Sequence, residues 1–225
     1  MPVFASASEV YSDVEAFKKE LIQKNKLPDF AHGGSMPSAT HEHVVRVKDW
    51  VQDLEKELGI KIEVVAEQKE ISSLVDAMPA RSKFQSTLNG LVVSDRIVLI
   101  ANVIDTHQQA LNAYEQEVVG RYGIAHYLGK RLDSVSAQIF QSMGEDKLSY
   151  LNERLGFEFD WAAEADKKLA VQEHLARLAA IGRCPTSEQS RISWYRAVIR
   201  RFYPKLAWTH DDLCALIQAA RNKLK

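Results

Sequence analysis

From His107 to its last residue, the chain shows an almost unbroken succession of helical patterns, and this constrains the fold more than any other feature. Apolar residues recur there every three or four positions, which is the spacing of one face of an α-helix. The pattern predicts helices at residues 107–128, 132–142, 147–155, 162–181, 188–203 and 209–224. The second half of the chain is therefore expected to build its core from contacts between helices.

The first half carries the strand patterns. "GIKIEVVAE" alternates apolar and polar residues and is rich in β-branched side chains, which predicts a strand. "NGLVVSDRIVLIANVI" predicts two strands joined near Ser94 and Asp95 as a hairpin. Amphipathic helices are predicted at residues 10–24 and from an N-cap at Thr40 onward. Together these patterns predict an α+β fold, with a small antiparallel sheet in the first half and a mainly helical second half.

Three regions are predicted along the chain. Residues 1–58 form an N-terminal helical segment, residues 59–181 an α+β domain, and residues 182–225 a basic helical tail that packs on that domain. A chain of 225 residues is long enough to bury a substantial core in this arrangement.

Composition bears on where the protein is located in the cell but does not identify a partner. The 29 basic and 30 acidic residues nearly cancel, so the overall charge favours neither nucleic acid nor an acidic ligand. The first residues lack the basic start and apolar core of a signal peptide, and no run approaches the roughly 20 apolar residues of a membrane span. Cys184 and Cys214 are expected to be reduced thiols. These features predict a soluble, cytoplasmic protein without a membrane partner.

The predicted helix at residues 107–128 is unusual in its middle, "EQEVVGRYG". Gly120 and Gly123 each cost roughly 1 kcal/mol relative to alanine inside a helix, so a close approach of another backbone is expected there. Glu117 adjoins the apolar stripe of the helix, and its carboxylate is expected to be half-buried. Arg121 follows four residues later, which is the favourable spacing for an ion pair with Glu117.

These residues carry a resemblance to a known family. "LVVSDRIVLIANVIDTHQQALNAYEQEVVGRYGIAHYLG" resembles the zincin-like metallopeptidase-type domain embedded in large polyvalent proteins of phages and conjugative elements. In that family a strand hairpin leads into a helix with the signature His-Glu-x-x-Gly-His-Tyr-Gly. This chain matches the signature at Glu117, Gly120, Tyr122 and Gly123. The helical segment "QEHLARLAA", which holds Glu173, and the basic aromatic stretch after it are similar to the family's helical tail.

The chain departs from the family where the two histidines should stand, because it has Gln116 and Arg121 there. Zinc is held by imidazoles, thiolates or carboxylates, whereas an amide is a poor ligand and a guanidinium is a permanent cation. We therefore expect zinc to be lost, no other cofactor to be needed, and Glu117 to be a vestige of a catalytic base.

The resemblance then implies a catalytically inactive pseudoenzyme, an accessory protein of a phage or mobile genetic element that binds a protein partner. An active metal-dependent peptidase with relocated ligands remains open. Glu173 with His174 and Glu117 is one such set.

The C-terminal region carries a charge asymmetry that allows another function. From residue 181 onward there are nine basic and three acidic residues, so this part has a charge of +6 and the remainder −7. Tyr195, Val198 and Phe202 share a helical face and are expected to be core. The basic residues are either a solvated face that docks on the acidic remainder of the chain or a surface that binds nucleic acid. The nucleic-acid candidates are Arg191, Arg196, Arg200, Arg201 and Lys205.

Overall fold

The structure, a computed structural model, describes residues 38–73, 88–93, 96–155, 159–182 and 187–225. All of these residues belong to one compact unit. The predicted helix at residues 10–24 and the thiol of Cys184 lie outside the described residues. The predicted region boundaries at residues 58 and 181 stay predictions.

The first described helix, α1, spans His41–Leu58. It begins as predicted at Thr40, whose hydroxyl accepts a hydrogen bond from the His43 backbone N–H at 3.2 Å. It ends at Gly59, which adopts a left-handed conformation with φ 64°. Its buried residues, Val47 and Val51, face the sheet side of the core.

The sheet of the described residues has three strands: β1 (Ile62–Val65), β2 (Gly90–Val93) and β3 (Arg96–Ile100). Their order is β1-β3-β2. The predicted hairpin is confirmed, because β2 and β3 pair antiparallel.

The α+β class is also confirmed, but the sheet is mixed rather than purely antiparallel, because β1 runs parallel to β3. Strand β3 is the central strand, with β1 on one side and β2 on the other. All residues of β3 from Ile97 to Ile100 are buried, as expected of a strand with a neighbour on each side.

The second half is helical, and every helix predicted there is present with its ends within three residues of the prediction. The elements are α2 (His107–Tyr114), a π-helical segment (Glu115–Gly123), α3 (Ile124–Leu128), α4 (Leu132–Gln141), α5 (Glu145–Leu155), α6 (Glu164–Ile181), α7 (Ser187–Arg200) and α8 (His210–Leu224). Within the described part of the chain, no helix combines the length and apolar character needed to cross a membrane.

The π-helical segment lies between the two larger clusters of buried apolar residues. Val118 belongs to the cluster formed with the sheet, α1 and α2. Val119, its neighbour, belongs to the cluster formed by α3 to α6 and α8. The segment therefore connects the sheet half of the core to the helical half, and its side chains are fixed from both sides.

The expectation that Tyr195, Val198 and Phe202 belong to the core is wrong for the two aromatic residues, whereas Val198 is half-buried. Tyr195 and Phe202 are exposed. The face of α7 turned towards the protein carries Arg196 and Arg200 instead, and both pair with Asp212 on α8. This ion-paired contact decides which way α7 faces.

Candidate functional site

The motif predicted as the functional site coincides with the π-helical segment Glu115–Gly123. Backbone hydrogen bonds in a π-helix join residues five apart, and such segments often mark functional positions. Positions 116 and 121 are therefore about one turn apart, whereas in an α-helix they would be rotated by roughly 140°. The sequence predicted a helix here but not its wider winding.

Arg121 connects two carboxylates inside the protein. Its Nη1 donates a hydrogen bond to Glu117 Oε1, and its Nη2 donates one to Glu173 Oε1 at 2.6 Å. The side chains of Arg121, Glu117 and Glu173 are only 11%, 3% and 8% exposed. The predicted pair of Glu117 and Arg121 is confirmed, although Glu117 is fully buried rather than half-buried, and Glu173 joins it from α6.

The cluster formed by Glu117, Arg121 and Glu173 is electrostatically unusual. Burial alone would lower the pKa of Arg121, but Glu117 and Glu173 outweigh it and raise that pKa above its ordinary value. The guanidinium therefore stays charged. The cluster thus places two carboxyl groups against one buried cation. Glu117 Oε2 and Arg121 Nε find no hydrogen-bond partner among the described residues.

Gly90, at the first position of β2, makes room for the Glu117 side chain. A Cβ atom built on Gly90 would lie 2.8 Å from Glu117 Cγ and 2.8 Å from the Val98 carbonyl oxygen. Real Cβ atoms essentially never make contacts this short, so a larger residue would displace the carboxylate or the strand. Gly90 lies in the stretch "NGLVVSDRIVLIANVI" that predicted the hairpin, and no local pattern there marks it as a contact of Glu117.

Gly120 brings the backbone of the π-helical segment against α6. A Cβ atom on Gly120 would lie 2.5 Å from Ala176 Cα, so the predicted close approach of another backbone is confirmed there. The same contact brings Glu173, one turn before Ala176, to Arg121. Gly123 instead faces a side chain, because its Cβ would lie 2.9 Å from Leu224 Cδ1.

The other motif residues lie at the edge of the cluster. Tyr122 is half-buried and its ring stacks on His126, with ring centroids 6.1 Å apart. Gln116 is also half-buried. Neither residue is hydrogen-bonded to the cluster.

A zinc ion does not fit the residues of this site. The position between the two carboxylates is taken by the guanidinium of Arg121, a cation that repels a metal, and position 116 offers only an amide. Within the described ranges, no three His, Cys, Asp or Glu residues form a group that could hold a metal ion.

His174, the neighbour of Glu173, does not join the cluster. Burial, together with the charges of Lys147, His210 and Arg177, lowers its pKa to about 4. Its Nε2 is buried without a hydrogen-bond partner among the described residues. The set of Glu173, His174 and Glu117 is therefore not assembled in this structure.

Two other histidines have structural partners. His43 Nε2 lies 3.1 Å from the Ala101 carbonyl oxygen and 2.8 Å from that of Ile104, so it ties α1 to the end of β3. His210 is the first residue of α8, and its Nε2 lies 3.5 Å from the Sγ of Cys214.

The basic candidates divide into an internal pair and an exposed set. Arg196 Nε lies 2.9 Å from Asp212 Oδ2, and Arg200 donates to the same oxygen. The guanidinium of Arg200 also lies 4.1 Å from the centre of the Trp208 ring. The residue as a whole is buried, so its guanidinium is not presented to a phosphate.

Asp212 is the centre of this internal contact. Burial would raise its pKa, but hydrogen bonds from Thr209, Arg196 and Arg200 outweigh burial and hold the pKa below its ordinary value. The three remaining candidates, Arg191, Arg201 and Lys205, are exposed.

Comparisons of the chain with models of known protein families, with curated proteins and with solved structures give no match.

Proposed function

We propose that the protein is a catalytically inactive, zincin-like accessory protein of a phage or mobile genetic element, a pseudo-metallopeptidase that acts by binding a protein partner. The observation that carries this proposal is the guanidinium of Arg121, which lies between the carboxylates of Glu117 and Glu173.

The chemistry of a zinc peptidase needs two features that this cluster does not offer. The metal lowers the pKa of a bound water, and a carboxylate within hydrogen-bond distance accepts the proton of that water. Here the carboxylate of Glu117 is buried, and its Oε1 accepts a hydrogen bond from the Arg121 guanidinium, which stands where a metal ion would be needed. An arginine side chain cannot deprotonate in a protein, so it supplies positive charge but no acid, base or nucleophile.

The spacing of the motif supports the zincin-like part of the proposal. The family that the sequence resembles has histidines at the positions of Gln116 and Arg121, five residues apart. The π-helical segment brings those two positions about one turn apart. Glu173 belongs to the segment that is similar to the family's helical tail, and it contacts Arg121, which stands at the second histidine position.

Metal analysis of the purified protein tests this proposal, in parallel with a peptidase assay with and without a chelator. We expect zinc far below one ion per chain and no chelator-sensitive cleavage. Stoichiometric zinc, or cleavage that a chelator abolishes, would reject the pseudoenzyme and favour an active peptidase with relocated ligands.

Binding of nucleic acid is a second candidate function. It is favoured by the three exposed cations Arg191, Arg201 and Lys205, which form no ion pair with any described residue. Binding through these residues should weaken steeply as salt rises, because counterions are released from the phosphates. A labelled DNA duplex that shows no shift at low salt would exclude this candidate.

A further inference from the structure

Helix α7 turns arginines towards the protein and large apolar residues towards solvent, which is the opposite of an ordinary amphipathic surface helix. Ile192, Tyr195 and Ile199 follow one another at steps of three and four, so they lie on one face. Phe202 and Tyr203 continue that face on the turn after the helix, where their backbone N–H groups both donate to the Ile199 carbonyl oxygen at 2.9 Å. These five residues, here called the α7 stripe, are between 45% and 76% exposed.

The outward direction of the α7 stripe is fixed by the opposite side of the helix. Arg196 and Arg200 pair with Asp212, and both also donate to the Ala207 carbonyl oxygen, at 2.5 Å and 3.0 Å. Turning the helix to bury the stripe would break these contacts and leave the buried carboxylate of Asp212 without its cations. The stripe is therefore a stable part of the surface. Exposed apolar patches rimmed by polar residues mark interaction sites in soluble proteins.

Charge narrows the kind of partner that fits the α7 stripe. Arg191, Arg201 and Lys205 adjoin it and are exposed, and none of them pairs with a described residue. Glu188 is the only acidic residue of α7. Charges of opposite sign on the two sides of an interface favour association, whereas like charges oppose it. The complementary surface has apolar residues at its centre and acidic residues beside them.

Two other occupants fit this surface less well. In a second copy docked stripe to stripe, the cations of one rim would meet the same cations of the other. Interfaces with duplex DNA are more polar and more positively charged than protein interfaces, so a centre of five apolar side chains fits a duplex poorly. A row of apolar side chains at helical spacing instead matches the face of a second helix, whose side chains can pack into the grooves beside the row.

We infer that the α7 stripe binds an amphipathic helix of a protein partner, with apolar residues on one face and acidic residues beside that face. This inference rests on the proposed protein-binding role and names the surface and the chemistry of the partner. The apolar side chains supply the buried centre of the contact, and the rim cations select acidic over basic partners.

The experiment uses the full chain and two labelled helical peptides. One carries leucine at every third or fourth position with glutamate beside it, and the other has lysine in place of each glutamate. Fluorescence anisotropy measures both affinities for the wild-type chain and for Ile199→Ser/Phe202→Ser. The matched control is Tyr150→Ser, which removes an apolar side chain of α5 that is 54% exposed. Circular dichroism checks that all three chains are folded.

We expect the glutamate peptide to bind about ten-fold or more tightly than the lysine peptide, and the double variant to lose about ten-fold in affinity while Tyr150→Ser does not. Three results would overturn the inference. The first is that the glutamate peptide does not bind. The second is that the wild-type chain sediments as a dimer and the double variant as a monomer. The third is that the wild-type chain binds a DNA duplex and the double variant does not. Zinc in the purified protein would reject the pseudoenzyme but would leave this measurement intact, so the two failures can be told apart.

Discussion

Arg121 Nη2 on the π-helical segment lies 2.6 Å from Glu173 Oε1 on α6, although the two residues are 52 positions apart in the chain. The contact lies beside the closest approach of the two helices, where Gly120 faces Ala176. The second hydrogen bond of the same guanidinium goes to Glu117 within the segment itself. A single side chain thus joins the motif helix to the helical half of the core.

Replacing Arg121 should destabilise the protein strongly. In Arg121→Met the buried carboxylates of Glu117 and Glu173 lose the cation that lies between them, and removing one partner of a buried ion pair typically costs about 3–5 kcal/mol. Urea unfolding at pH 7 measures this loss. In a triple variant that adds Glu117→Gln and Glu173→Gln, we expect much of the stability to return, because no charge is left uncompensated.

The control for Arg121 is Arg46, whose ion pair with Glu42 is 3.0 Å long and exposed to solvent. Exposed pairs contribute at most about 1 kcal/mol, so Arg46→Met should have little effect on the free energy of unfolding. Equal losses in Arg46→Met and Arg121→Met would show that the buried cluster does not stabilise the fold.

Gly120→Ala should destabilise the protein even though alanine is the better helix former. Helix propensity alone would give a gain of roughly 1 kcal/mol. The added Cβ, however, would lie 2.5 Å from Ala176 Cα, and forcing extra atoms into a packed core typically costs about 1–3 kcal/mol. Gly144→Ala is the matched control, since a Cβ there meets no atom within 4 Å. The interpretation fails if thermal unfolding ranks Gly120→Ala at or above Gly144→Ala in stability.

His174 should make the stability of the protein depend on pH in mildly acidic solution. Its pKa is lowered from 6.5 to about 4 in the folded state, so between these values the unfolded chain binds the extra proton and the folded chain does not. The free energy of unfolding therefore falls as the pH is lowered through this window, and His174→Gln should lack that part of the decrease. NMR titration of the imidazole checks the premise, which a midpoint near 6.5 would contradict.

Histidines at positions 116 and 121 should restore a zinc site if the zincin-like proposal is right. In Gln116→His/Arg121→His the permanent cation is gone, and the imidazole at position 121 stands near the carboxylate of Glu173. The second imidazole lies about one turn before it on the π-helical segment. We expect about one zinc ion per chain and a rise in melting temperature with added zinc. The control, Gln116→Ala/Arg121→Ala, should bind none. A folded histidine variant that takes up no more zinc than this control would contradict the proposal.

The sequence alone determined the elements whose signals are local. Helical periodicity located the ends of the six predicted helices to within three residues, although α2, the π-helical segment and α3 were predicted as one helix. The Thr40 cap located the start of α1, and alternating β-branched residues located the strands. The pairing of Glu117 with Arg121 and the close approach at Gly120 were also predictable. A spacing of four and the cost of a glycine in a helix depend only on the residues nearby.

Only the tertiary structure decided features that depend on residues distant in the chain. The parallel pairing of β1 with β3 joins strands that are more than 30 residues apart in the chain, and no local pattern encodes it. The contact of Glu173 with Arg121 forms only when α6 packs against the π-helical segment. The space that Gly90 leaves for Glu117 exists only when β2 packs there as well. Asp212 decides which face of α7 turns inward, because it pairs there with Arg196 and Arg200. Leaving a buried carboxylate without its cations costs more free energy than leaving aromatic rings exposed to water.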